Sequence, residues 1–72
     1  MFNLVSQNMK ESQIIENIKN AGNIAGTTVN ERLWICNLME EFDSAKVKDK
    51  IKARRILELL RVDNESIERM LR

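Results

Sequence analysis

Three features of this sequence predict an all-α fold. Apolar residues recur at i, i+3, i+4 and i+7, and the period-two alternation of a half-buried strand is missing. Proline is absent, and glycine occurs only at positions 22 and 26. Capping residues stand where the apolar periods begin. The expected architecture is a small bundle of three to four helices, built around a central antiparallel helical hairpin, in one domain over residues 1–72.

The spacing predicts a first helix over about 9–21. Asn8 and Glu11 have the spacing of a capping box, and Gly22 stands where a left-handed residue ends a helix. Ile14, Ile15, Ile18 and Ala21 form its expected buried face. Residues 1–7 are expected to be disordered. The linker GNIAGTT follows, with Gly26 free to adopt backbone angles closed to other residues.

A second helix is expected over 29–47. Thr28 and Glu31 give the reciprocal capping pattern. Trp34, Ile35, Leu38, Met39, Phe42 and Ala45 share one broad face, while Val29, Leu33 and Cys36 lie on the opposite side in the first half only. A helix apolar on two sides is surrounded by protein, which makes this the expected central element.

The third helix is expected over 50–61, with Asp49 capping its first amides. Ala53, Ile56, Leu57 and Leu60 form its buried stripe; Ile51 and Leu59 lie off it. The last helix, over 64–71, takes Asp63 as N-cap, with Val62 and Ile67 placed as a hydrophobic staple. Ile67, Met70 and Leu71 are its expected buried residues. A short link between the second and third helices predicts that they pair antiparallel.

The segment TVNERLWICNLMEEFDSA, followed by a helix ending in LELLRV, resembles short uncharacterised bacterial proteins with a similar core. The resemblance covers about residues 27–62 and implies a helical fold. It brings no activity, so no functional residue follows from it.

Composition excludes several classes of function. With one cysteine and no histidine, the chain has neither an internal disulfide nor the ligands of a standard zinc site. The apolar start MFNLV is too short for a signal-peptide core, and no run approaches the length of a membrane span. A reducing cytoplasm is therefore the expected setting. In so small a domain, stability must come from close helix packing, self-association or a partner.

Net charge is +1, but it is uneven: −3 over residues 1–45 and +4 over residues 46–72. The stretch KVKDKIKARR (46–55) carries six of the twelve basic residues. A phosphate-binding helix needs its cations on one face, preferably with aromatic residues between them. Here Lys50, Lys52, Arg54 and Arg55 straddle the buried stripe. Glu58 stands within reach of Arg54, Arg55 and Arg61, and no aromatic residue is interleaved. A helix-turn-helix reading is also poor: Asp63, Glu65 and Glu68 crowd the start of the last helix. The entry of the second, with Thr27, Thr28, Asn30 and Arg32, leads into an apolar body.

Catalysis is not expected. Cys36 has only apolar neighbours and no base to activate it. Glu40, Glu41 and Asp43 form the acidic cluster; as a solvated face it pairs with Lys46 or with the basic half of another copy. Glu40 and Asp43 share a face and could alternatively hold magnesium through water. No cofactor or small-molecule substrate is expected. Trp34 is most simply core, or else the centre of an exposed binding patch. The expected function is non-catalytic protein binding, by a homodimer or a small adaptor, inhibitor or regulator, through Trp34, Ile35, Met39 and Phe42. The alternative is a small nucleic-acid-binding regulator using Lys48, Lys50, Lys52, Arg54 and Arg55.

Overall fold

A computed structural model describes residues 9–72 and shows an all-α protein. The described residues form five helices: α1 Glu11–Ala21, α2 Val29–Ile35, α3 Met39–Lys48, α4 Lys50–Leu59 and α5 Asn64–Met70. No strand occurs among them. The expectations for residues 1–7 and for an Asn8 cap lie outside the described residues. Lys10 occupies the N-cap position of α1 and makes no side-chain cap bond. Gly22 closes that helix at a positive φ of 78°.

Three of the expected caps form. At the start of α2, the Glu31 N–H donates to Thr28 Oγ1 and the Thr28 N–H donates to Glu31 Oε1, a complete capping box. Asp49 accepts from the Lys52 N–H at α4, and Asp63 accepts from the Ser66 N–H at α5. Val62 and Ile67, spaced as a staple around that last cap, are both buried.

The long second helix does not form. It divides at Asn37, whose φ is 59°. The Leu38 N–H donates back to the Leu33 carbonyl at 2.8 Å, and the Asn37 N–H donates to Trp34 at 3.0 Å. These are the two bonds of a Schellman ending, with Asn in its left-handed position. The division resolves the two-sided apolar pattern. In one continuous helix, Leu33 and Cys36 would face away from Leu38, Phe42 and Ala45; the turn directs both sets into one core, where all five are buried. A second Schellman ending closes α4. Arg61 takes a φ of 65°, its N–H donates to Glu58, and the Val62 N–H donates to Leu57.

The central element is therefore α4 rather than the helix that begins at Val29. It packs against α1, α3 and α5, most extensively against α3, while α2 packs on α3. Ala53, Ile56, Leu57 and Leu60 are fully buried along it, and truncating any one of the three large ones to alanine would cost about 2–5 kcal/mol. A single residue, Asp49, separates α3 from α4 and caps the latter. Ile14 anchors α1 in the core, with Ile18 and Ala21 partly buried beside it. Ile15, expected with them, is exposed. No helix of the described residues is long and apolar enough to cross a membrane.

Candidate protein-binding edge and the basic stretch

Cations of α4 are distributed among its neighbours. Lys52 Nζ pairs with Glu41 of α3 at 2.5 Å. Arg54 pairs with Glu68 and donates to Asn64 Oδ1 at 3.3 Å, both on α5. Arg55 makes a two-pronged pair with Glu11 of α1, both bonds 3.2 Å, and a longer one with Glu58. Lys50 Nζ donates to the Leu71 carbonyl at the end of α5, where a helix dipole favours a cation. Four cations thus bind three different helices. Glu58 neutralises Arg55 alone; no ion pair joins it to Arg54 or Arg61 among the described residues.

The pairing between Arg55 and Glu11 holds the Glu11 carboxyl below its ordinary range and the guanidinium above its own. Both side chains are about half exposed, so this bond orients α1 on α4 more than it stabilises the fold. Lys48 is exposed and has no salt bridge among the described residues. Lys46 stands 5.7 Å above the Phe42 ring, instead of pairing with Glu40 or Asp43.

Arg32, considered above as a residue at a helix entry, is a tie between helix ends. Its guanidinium donates to the Leu60 carbonyl at 2.9 Å, to the Arg61 carbonyl at 3.3 Å and to Thr27 Oγ1 at 3.3 Å. These carbonyls lie at the C-terminal end of α4, where orphan acceptors gather. Cys36 is buried, and burial pushes its thiol up, away from the reactive thiolate.

Trp34 and Ile35 end α2 at the surface, 77% and 41% exposed; Met39 opens α3 half-buried. Phe42 is 2% exposed and belongs to the core. Expected on one helical face, the four residues are divided by the Asn37 turn, and three of them border solvent. Beside Trp34 runs a groove of about 640 Å³ lined by Met9, Trp34, Asn37, Met39, Glu40 and Glu41.

Glu41, expected with Glu40 and Asp43 on a solvated acidic face, is buried instead. It is only 2% exposed; Lys52 engages its Oε2, while Oε1 is buried without a hydrogen-bond partner. The signal was present: Leu38, Glu41, Phe42 and Ala45 have the spacing of one buried helical face. Glu40 and Asp43, by contrast, are exposed. No three metal-binding side chains converge among the described residues.

The chain matches no family model, and no curated protein or solved structure is significantly similar to it.

Proposed function

We propose that this chain is a non-catalytic protein-binding module that engages its partner through the edge formed by Trp34, Ile35 and Met39. The observation that carries this reading is the exposure of Trp34. An indole left in water forgoes the burial that an aromatic ring contributes to a core. This domain fills its core with Leu, Ile and Phe and leaves its sole tryptophan outside. Large aromatic side chains on a surface, with methionine alongside, are the usual anchors of protein interfaces.

The test places a photoactivatable amino acid at position 34, 35 or, as a control, 65, in cells expressing the full chain. Light scattering across a wide range of protein concentrations accompanies it. Adducts concentrated at 34 and 35, or a mass that rises with concentration and falls back in Trp34→Ser, are expected. Equal labelling at all three positions together with a constant monomer mass would refute the module.

A further inference from the structure

We propose that the groove beside Trp34 receives an arginine side chain presented by a partner polypeptide. This rests on the protein-binding reading above and names the chemistry of the partner.

The lining of the groove is selective in three ways. First, it is acidic. Lys52 balances Glu41, and Glu40, exposed at the groove, has no salt bridge among the described residues. The groove therefore retains one net negative charge, which suits a single cation.

Second, one of its lining residues carries a buried acceptor without a donor. A buried carboxylate oxygen that has lost water and gained no hydrogen bond is costly, and a charged donor that reaches it recovers that cost. Glu41 Oε1 is such an atom. Met9 and Met39, both half-buried in the same lining, are unbranched side chains that can yield to an incoming group.

Third, Trp34 offers an exposed indole face at the same groove. A cation over tryptophan gains most when it is planar and weakly hydrated, which favours guanidinium over ammonium. Guanidinium also divides its N–H donors between two acceptors, as a lysine ammonium cannot do in a flat stacked geometry. One arginine thus stacks on Trp34, pairs with Glu40 and, as the lining yields, donates to Glu41 Oε1.

Trp34 is the sole tryptophan and there is no tyrosine, so intrinsic fluorescence reports this groove directly. The full chain is titrated with acetyl-Gly-Arg-Gly-amide and with the same peptide carrying lysine or neutral citrulline. Saturable quenching by the arginine peptide, stronger than by either analogue, is expected. Glu41→Gln should weaken it roughly tenfold or more, the loss implied by one charge-assisted hydrogen bond. In that variant Lys52 keeps the amide oxygen, and the NH₂ left in place of Oε1 opposes a donor. Should Glu41→Gln unfold, which circular dichroism reads, the exposed Glu40→Gln decides in its place and should weaken quenching severalfold. Equal quenching by arginine and citrulline, or by arginine and lysine, overturns the assignment. So does emission that shifts with protein concentration alone, because a second copy then covers the groove. If the peptides fail while cross-linking at 34 and 35 succeeds, only the arginine assignment falls; if both fail, the protein-binding reading falls with it.

Discussion

Lys52 pairs with Glu41 across the α3–α4 contact, and the two are unequally buried: the lysine side chain is 26% exposed, the glutamate 2%. The carboxylate therefore depends on the ammonium more than the ammonium depends on it. Lys52→Met should destabilise the fold by about 3 kcal/mol, the usual penalty for a buried charge that loses its partner. The double variant Glu41→Leu/Lys52→Met should recover most of that loss, because an apolar pair of similar volume needs no desolvated ions. Urea denaturation of the wild type, the two single variants and the double variant measures the coupling. Additive single effects would mean that the two side chains do not act as a pair.

Arg32 joins the start of α2 to the end of α4 through Leu60 and Arg61 carbonyls. Removing it leaves the partly buried Leu60 carbonyl without its side-chain donor. Arg32→Ala should cost about 1.5–3 kcal/mol, the range for hydrogen bonds to a charged group. Arg32→Lys should recover only part, since one ammonium cannot reproduce the fork that spans two carbonyls and Thr27. Thermal melts of both variants by circular dichroism would check the order.

Arg61 holds a left-handed conformation that disfavours any residue with a Cβ. Arg61→Gly relieves that strain and gives back part of the gain through a freer unfolded chain, so stability should rise by about 0.5–1 kcal/mol. Asn37→Gly should gain less, because asparagine tolerates this region better than arginine does. Urea midpoints of the two variants give the comparison.

Asp63 caps α5 by accepting from the Ser66 hydroxyl at 2.7 Å and the Ser66 N–H at 2.9 Å, and these bonds hold its carboxyl below the ordinary aspartate range. A carboxyl depressed in the folded state binds protons less readily there than in the unfolded chain. Its contribution is thus fully present above the unfolded value, about pH 4, and is lost as pH falls through the folded one. Stability measured from neutral pH into the acid range should show this loss. Asp63→Asn, which keeps a capping side chain without the titration, should flatten that part of the profile. An unchanged profile would assign the acid sensitivity elsewhere.

Four of the six cations in the basic stretch, Lys50, Lys52, Arg54 and Arg55, are engaged within the chain, while Lys46 and Lys48 are exposed without a salt bridge among the described residues. Anisotropy of labelled generic duplex DNA or RNA should stay flat on adding the protein at about 50 mM salt, where phosphate contacts are strong. Binding there that weakens steeply at about 200 mM, and is lost on reversing Arg54 and Arg55 to glutamate, would favour the nucleic-acid alternative over the protein-binding reading.

By itself, the sequence determined what is local. Helix type followed from apolar spacing, and the caps at Thr28, Asp49 and Asp63 followed from side chains that reach amides three residues away. The stripe Ala53, Ile56, Leu57 and Leu60 was legible because four residues on one face of one helix have a single way to be buried together. The break at Asn37 was half legible: the change of apolar face was visible, but a surrounded helix and a broken one produce the same pattern until the rest of the core is in place. Arg61 offered no signal, since nothing in an arginine announces a left-handed turn.

Tertiary structure alone decided where the charges went. Whether KVKDKIKARR faced solvent or its neighbours depended on α1, α3 and α5 bringing Glu11, Glu41, Glu68 and the end of the last helix within reach. The same held for Trp34 at the surface. Side chains far apart in sequence meet only after the helices pack, and a long flexible cation takes whichever acceptor that packing supplies.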